Sequence, residues 1–165
     1  MTDPVPDRPH MPGYGILPAG EGSGLIPWAE AERRLTVAHD YWLATVTPNG
    51  APHVMPVCER TPCPPPLASS PRDPAGGRAA DRRCTVTTDD ARDPVVCEGV
   101  AERTTDPGAI ATFVAAVNAK YDASVTVEFQ DPGVNGTFAV RPVRAFALSA
   151  ADFPGSPTRW RFADR

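Results

Sequence analysis

The sequence contains no long hydrophobic run. A transmembrane helix needs about 18 or more consecutive apolar residues, and no stretch of the 165 residues meets this requirement. The opening residues, MTDPVPDRPHMPGYG, are polar and rich in proline, so they lack the apolar segment of a secretory signal. The sequence therefore predicts a cytoplasmic protein without a membrane partner.

Positive charge is also scarce. The 16 lysines and arginines are outnumbered by 20 aspartates and glutamates, which leaves a net charge of −4. This balance argues against nucleic acid as the main partner. At 165 residues, the chain is long enough for one domain with a core of its own.

Histidine and cysteine are few and poorly placed for a metal site. The three histidines have no paired spacing, and the closest cysteines, Cys58 and Cys63, have no matching second pair. We therefore expect free thiols and no metal. The GxSxG and Walker motifs are absent as well, so no hydrolytic site is predicted. Catalytic residues stay unknown, because His53 has no carboxylate near it in sequence and favours a polar rim position.

The clearest positive signal is an apolar hairpin over residues 41–57, YWLATVTPNGAPHVMPV. Its first run is apolar or β-branched on both faces, as in a strand that meets the core on one side and a ligand or partner on the other. The Asn-Gly dipeptide permits a tight reversal. Pro52 and Pro56 lack a ladder N–H. The second strand is therefore predicted to lie at an edge or to be bulged, with backbone groups available to a flat ring.

Two helices are predicted after a glycine-rich arm. Residues 1–24 form an extended or disordered arm, because their glycines deny regular structure. A helix over Pro27–His39 has proline in its first turn and apolar residues at helical spacing. A second helix over Pro107–Tyr121 follows an N-cap at Asp106 and places its apolar side chains on one face.

The other apolar segments alternate with the period of strands. We predict four strands besides the hairpin, with a bulge at Gly99 and a break at Pro142: Cys84–Thr88, Val95–Arg103, Thr137–Arg141 and Val143–Leu148. Six short strands and two helices predict an α+β fold, a small antiparallel barrel in one domain over residues 25–165.

One segment shows neither the helical nor the strand spacing of apolar residues. Residues 58–82, CERTPCPPPLASSPRDPAGGRAADR, include six prolines and no aromatic residue. Such a composition buries too little apolar area to offset the entropy of ordering. We therefore predict an irregular, disordered insert that contains neither strand nor helix and that interrupts the domain.

Three stretches carry a family resemblance. The pattern YWLATV-x-x-x-G-x-PHVMPV, with RPHMPGYGI near the start and SPTRWRF near the end, resembles the actinobacterial branch of the pyridoxamine 5'-phosphate oxidase-like family. The resemblance covers residues 8–57 and 83–162. It implies a six-stranded antiparallel split β-barrel that binds FMN or the deazaflavin coenzyme F-420, and a homodimer with the cofactor at the subunit interface.

A cofactor site follows from this resemblance and the hairpin together. The cofactor brings the hydride chemistry, and the protein supplies an apolar slot, hydrogen bonds and cations for a phosphate. We predict six residues for the ring slot, with plain barrel core as the alternative: Ala44, Thr45, Val46, Val54, Met55 and Pro56. Hydroxyls and cations on the neighbouring strand would serve the polar groups, and a residue of the tail would reach in from the partner: Thr85, Thr87, Thr88, Arg82 and Arg83, with Arg159 or Trp160.

The family's phosphate-binding cluster, roughly S-x-R/K-x-x-N-L, is not found. The segment AADRRCTVTTDD, residues 79–90, matches the end of that pattern, but the residues before it and the aromatic strand expected after Val57 are replaced. Both flanks fit, so we hypothesise a local reading-frame shift that begins near Val57 and ends before Ala79. A divergent loop is the alternative. The chain as written is expected to bind the cofactor weakly or not at all.

Three functions stay open at this point. The first is an oxidoreductase that transfers a hydride to or from a small organic substrate. The second is a non-catalytic module that binds a flavin, a deazaflavin or a haem-like ligand. The third is an inactive remnant without the phosphate-binding loop. Fold-level analogy does not choose among them, and neither the substrate nor the choice between FMN and F-420 is encoded in a recognisable motif.

Overall fold

The computed structural model describes residues 4–47, 49–57, 59–60, 67–70, 82–130 and 135–163. Nine strands and two α-helices lie within these ranges: β1 Val5–Asp7, α1 Trp28–Val37, β2 Tyr41–Val46, β3 Pro52–Val57, β4 Glu59–Arg60, β5 Leu67–Ser70, β6 Arg83–Thr88, β7 Val95–Thr104, α2 Pro107–Tyr121, β8 Gly136–Ala147 and β9 Thr158–Arg161. Short 3-10 helices occupy Glu128–Gln130 and Ala150–Asp152.

The strands form one antiparallel sheet that splits along β8. Hydrogen-bonded neighbours follow the order β1-β9-β8-β7-β6-β2-β3. The edge of β8 that faces away from β7 is shared, because residues 136–139 pair with β5 and residues 144–147 pair with β9. Contact between β5 and β3 closes six strands into a barrel. The predicted α+β split barrel is therefore confirmed. The count of six strands omits the short strands β1, β4, β5 and β9 and counts β8 twice.

Strands β4 and β5 lie in the segment where the composition predicts none. β4 pairs with β5, and β5 pairs with β8 from Leu67 opposite Ala139 to Ser70 opposite Gly136. The expectation of no strand is therefore wrong for these residues, because main-chain ladder bonds form without an apolar alternation in sequence. Residues 58, 61–66 and 71–81 lie outside the described part of the chain, where the irregular insert stays a prediction.

β8 runs without a break through Pro142, contrary to the two strands predicted there. The residue opposite Pro142 is Gly99, where the register of β7 and β8 shifts. The pairing passes from Arg144 opposite Glu98 to Pro142 opposite Gly99, so the extra residue is Val143 of β8. The predicted bulge is therefore found at this place in the ladder, but on the strand opposite Gly99. A bulge interrupts the ladder locally, so a proline without an N–H is tolerated at this point. A Cβ atom on Gly99 would lie only 2.3 Å from the carbonyl oxygen of Arg141.

Replacing Gly99 by alanine is therefore expected to destabilise the fold. The added methyl group has no space against the rigid main chain of Arg141, and overpacking of this kind costs about 1–3 kcal/mol. Urea denaturation of Gly99→Ala measures the loss. Gly108→Ala is the matched control, because its Cβ would meet only the Asp106 Oδ2 atom at 3.4 Å. A Gly99→Ala variant as stable as the control would contradict the packing described here.

The two helices cover different parts of the sheet. α2 has the predicted bounds, and the Asp106 carboxylate accepts a hydrogen bond from the Ala109 N–H at 2.7 Å. α1 is shorter than the predicted Pro27–His39, because the backbone of Ala38 is already extended, with a ψ of 135°. Residues Ala31 and Leu35 of α1 pack with Trp160 and neighbouring side chains on the inner face of the sheet.

The arm lies along the sheet over its described length. β1 pairs with β9, and the Arg8 guanidinium donates to the carbonyl oxygens of Pro157 at 2.6 Å and Pro18 at 3.1 Å. Further along, the Asp152 carboxylate accepts from the Ser23 N–H at 2.6 Å, and this hydrogen bond holds the pKa of Asp152 below its usual value. These contacts place residues 8–11 over the outer face of the sheet.

Candidate functional site

The outer face of the β3-β2-β6 portion of the sheet is apolar and accessible. Side chains alternate along β2, so that Tyr41 and Leu43 are buried while Trp42 is 45% exposed. Across the strands, Ala44 lies opposite Val54 of β3 and Thr85 of β6. Val54 is 56% exposed. This surface, the outer face of residues 42, 44 and 46 with 52, 54 and 56 and with 83, 85 and 87, is called the apolar face below.

Strand alternation divides the six residues predicted for the ring slot. Ala44, Val46, Val54 and Pro56 share the apolar face. The other two point inward: Thr45 is only 9% exposed, and Met55 packs against the barrel core. Thr45 and Met55 therefore fit the alternative of barrel core. The cause is the two-residue period of a strand, which never gives three successive residues to one surface.

β3 is an edge strand without a bulge. It lies at the end of the hydrogen-bonded order, and its pairing with β2 is regular from Tyr41 opposite Val57 to Val46 opposite Pro52. Of the two possibilities left open by the prolines, the edge is therefore the one observed. The prolines fit an edge position because one side of the strand needs no ladder donors. His53 is exposed near the turn, in a rim position.

The part of the apolar face that lies on β6 consists of two threonines and an arginine. Thr85 and Thr87 are half-buried on this face, and Arg83 is exposed on the same side of the strand. Thr88 belongs to the inner side, where its Oγ1 accepts from the Val95 N–H at 3.0 Å. Arg82 is exposed just before the strand. The face therefore combines short apolar side chains with hydroxyls and a positive charge.

Trp160 occupies the core of its own chain. It has no exposed surface, and its ring centroid lies 5.4 Å from that of Trp28 in an edge-on arrangement. Trp28 in turn stacks edge-on with Phe162 at 5.2 Å. No part of the Trp160 ring is accessible to a ligand of a partner subunit, contrary to the role predicted for it. Alternation in the TRWR segment places Arg159 on the opposite, outer face.

A pocket of about 320 Å3 continues the outer face beyond the apolar face. Its lining comes from the arm and from β7, β8 and β9: Pro9, Met11, Glu98, Arg144, Ala145, Phe146 and Arg159. Register connects the two regions, because Thr85 lies opposite Glu98 and Glu98 lies opposite Arg144. Sequence reasoning missed this pocket. The relevant signal is the alternation of inward and outward side chains around the bulge. This alternation can be assigned only when the pairing of β7 with β8 is known.

The charged groups at the pocket form ion pairs. Arg144 Nε lies 3.1 Å from Glu98 Oε2, and Arg159 Nη2 lies 2.6 Å from Asp7 Oδ2. The hydrogen bond from Arg159 lowers the pKa of Asp7, and the N–H of Arg8 adds to the effect. Among the described residues, no group of three or more histidine, cysteine or acidic side chains could hold a metal ion. The helices in the described ranges are too short or too polar to cross a membrane.

Comparison with known proteins shows a shared fold. No protein-family model and no curated protein matches the sequence. An F420 reductase matches with a TM-score of 0.56 and 22% identity, over 69% of this chain and 94% of the other. A FAD-binding protein from Mesorhizobium loti matches with a TM-score of 0.54 and 18% identity, over 81% of this chain and 94% of the other.

A third similar structure is a protein from Clostridium acetobutylicum that is related to general stress protein 26 and described as a member of the pyridoxinephosphate oxidase family. Its TM-score is 0.57 at 9% identity, over 81% of this chain and 93% of the other. At such identities the likeness establishes the fold. The fold is the one expected from the resemblance in sequence, the split barrel of the pyridoxamine 5'-phosphate oxidase-like proteins.

Proposed function

We propose that this protein is a flavin- or deazaflavin-dependent oxidoreductase of the pyridoxamine 5'-phosphate oxidase-like family, which transfers a hydride to or from a small organic substrate. The observation that carries the proposal is the exposed apolar face with its threonine hydroxyls and arginine. The names of the similar structures support a flavin-type cofactor, since they include an F420 reductase and a FAD-binding protein. FMN and F-420 are the two cofactors that we propose as alternatives.

The residues of the apolar face fit a flat ring. Ala44 and Val46 of β2 and Val54 and Pro56 of β3 present short, apolar side chains on one surface. The bound cofactor would supply the hydride chemistry. The task of these four residues is to orient the ring and to exclude water from its face, which apolar side chains do without specific hydrogen bonds.

Polar recognition would come from β6. The hydroxyls of Thr85 and Thr87 donate and accept hydrogen bonds at the side of the apolar face. Arg83, on the same side of the strand, would provide a charge-assisted contact to a phosphate group. Arg82 is a second cation within reach of the same end of β6. All four residues follow one another closely in the chain, so one strand orients the whole polar set.

A second copy of the chain would complete the site. Trp42 and Val54 are large apolar side chains that stay half-exposed on the apolar face, and such patches mark interaction surfaces. A symmetric homodimer would bury this patch against its own copy. The cofactor would then lie between two subunits, with substrate entering from the open side. The cytoplasm is the location that we propose.

One observation favours the non-catalytic binding module as a second candidate. Among the described side chains of the apolar face, Arg83 is the one ionisable group, and an arginine is a poor general acid or base because its pKa is very high. Turnover measured with reduced FMN or reduced F-420 therefore separates the oxidoreductase from the binding module.

A charge placed at Val54 is expected to disrupt both the dimer and cofactor binding. Val54→Asp puts a carboxylate into the proposed interface of each subunit, and burying an unpaired charge costs at least several kcal/mol. We expect the dissociation constant of the dimer to rise by a factor of about a hundred or more. Light scattering at micromolar concentration measures the first effect. Absorbance titration with FMN and with F-420 measures the second, in a chain whose residues 58–78 are restored by translating their codons in the neighbouring reading frame.

Val37→Asp provides the matched control. Val37 is 64% exposed at the end of α1, away from the apolar face, so this variant should dimerise and bind cofactor as the wild-type chain does. A wild-type protein that is monomeric at micromolar concentration would contradict the dimer. Absence of any spectral change with either cofactor at millimolar concentration, in the chain as written and in a chain with residues 58–78 restored, would contradict the proposed function.

A further inference from the structure

The pocket beside the apolar face has a composition suited to a small organic anion. Its volume of about 320 Å3 lies at the lower end of the range for small-molecule sites. Met11 and Phe146 supply apolar surface. Arg144 and Arg159 supply positive charge, and each is paired with one carboxylate, that of Glu98 and that of Asp7. The wall formed by Pro9 and Met11 belongs to the arm, which Arg8 fixes to two carbonyl oxygens.

Arg159 has hydrogen-bonding capacity that the chain leaves unused. Its Nη2 atom donates to the Asp7 carboxylate, but its Nε atom is buried and has no hydrogen-bond partner among the described residues. Buried donors are rarely left unpaired in native proteins. The Arg159 side chain as a whole is 27% exposed and lines the pocket, so its guanidinium lies within reach of an acceptor on a bound ligand.

The register of the strands concentrates positive charge at the same place. Arg144 of β8 lies directly opposite Arg161 of β9, and Phe146 lies directly opposite Arg159. Like charges opposite each other on neighbouring strands destabilise a sheet. Three arginines, Arg144, Arg159 and Arg161, therefore lie together with only two carboxylates paired to them, those of Glu98 and Asp7. An anion in the pocket would relieve this repulsion.

We propose that the pocket binds the substrate, and that the substrate is a small carboxylate with a flat apolar body. The carboxylate would pair with Arg159 and Arg144, and the apolar body would lie against Phe146 and Met11. Thr85 of the apolar face lies opposite Glu98 of the pocket, so the bound molecule would neighbour the cofactor. The assignment of this ligand as substrate rests on the proposed function, whereas the anion site does not.

Calorimetry with benzoate as the probe tests the site on the full chain without added cofactor. Benzamide has the same shape without the charge, and inorganic phosphate has charge without the apolar body. We expect benzoate to bind at least about tenfold more tightly than either. Equal binding of benzamide would overturn the anion site. Tighter binding of phosphate would overturn the carboxylate assignment and indicate a phosphate site instead.

Two substitutions on either side of one ion pair give opposite expected results. Arg159→Gln removes the proposed anion-binding group and should weaken benzoate binding by a factor of about ten or more. Asp7→Asn breaks the same ion pair but keeps Arg159, and it removes a carboxylate that competes for the guanidinium. Benzoate should therefore bind Asp7→Asn a few-fold more tightly than the wild-type chain.

The pair of variants also separates binding from attachment of the arm. If Arg159 acted only by holding β1 through Asp7, both substitutions would weaken benzoate binding alike, and this result would overturn the proposal. Arg141→Gln is the control for charge, since Arg141 also lies on β8, pairs with Glu102 at 3.4 Å and does not line the pocket. Cofactor titration is a separate measurement, so benzoate binding without cofactor binding would refute only the proposed function.

Discussion

Restoring a family-like sequence at residues 58–78 is expected to raise the affinity for the cofactor by a factor of roughly a thousand or more. The reason is the phosphate group. The expected cluster S-x-R/K-x-x-N-L is missing from this chain, and its two or three charge-assisted hydrogen bonds would contribute about 1.5–3 kcal/mol each. Arg83 and Arg82 are too few to replace such a set.

The variant is made by translating codons 58–78 in the neighbouring reading frame and placing the product between the unchanged flanks. Calorimetry with FMN and with F-420 on both proteins gives the two affinities. A matched control exchanges the same residues for a glycine-serine segment of equal length, which should bind as weakly as the chain as written. Equal affinities in all three proteins would show that residues 58–78 never served the phosphate.

The coding sequence provides an independent check of the same hypothesis. If the neighbouring frame of codons 58–78 encodes neither an aromatic strand nor an S-x-R/K run, the frame-shift hypothesis is wrong and the divergent loop is right. The described backbone bears on this only through β5, whose residues 67–70 pair with β8. A strand therefore pairs with β8 where the barrel closes, in spite of the unusual sequence of this segment.

The sequence predicted those elements whose backbone conformation depends on a few neighbouring residues. The Asn-Gly turn fixed the β2–β3 hairpin, and the Asp106 cap with the following proline fixed the start of α2. The bulge at Gly99 was predicted from glycine inside a strand pattern. In the turn and at the cap, a residue type limits the backbone by itself, so its effect is independent of what packs around it.

Elements that depend on a distant partner were not predictable in the same way. Pro142 indicated a strand end, but the bulge next to it at Val143 lets β8 continue. Three residues of the arm form β1 by pairing with β9. No pattern in this proline-rich segment indicates that pairing. The same holds for the pocket, whose lining residues come from the arm and from three strands.

The residues predicted for the ring slot do not all lie on one face of the sheet, and the cause is simple. Three successive residues of a strand point alternately to the apolar face and to the core. Ala44 and Val54 therefore lie on the apolar face, whereas Thr45 and Met55 point into the core. Applying the two-residue period of strands to the predicted slot would have removed Thr45 and Met55 without a structure. Trp160 was different, because its burial depends on α1 packing from elsewhere in the chain.

Substituting Trp160 by alanine is expected to cost about 3–5 kcal/mol of stability, the range for removing a large aromatic side chain from a core. Trp160 has no exposed surface and packs edge-on with Trp28, so its loss would leave a large cavity between α1 and the sheet. Phe129→Ala is the matched control, because Phe129 is 56% exposed and lies outside the apolar face. Its truncation should change stability by about 1 kcal/mol or less.

The conservative substitution Trp160→Phe distinguishes a core residue from a ligand residue. A phenyl ring keeps most of the buried apolar area, and it removes an indole N–H that is buried without a hydrogen-bond partner among the described residues. We therefore expect Trp160→Phe to cost about 1–2 kcal/mol and to leave cofactor affinity unchanged in the chain with residues 58–78 restored. A side chain that acts only in the core changes the free energy of unfolding and leaves cofactor affinity unchanged. A tenfold loss of cofactor affinity with unchanged stability in urea would therefore contradict the core role and indicate that Trp160 contacts the cofactor.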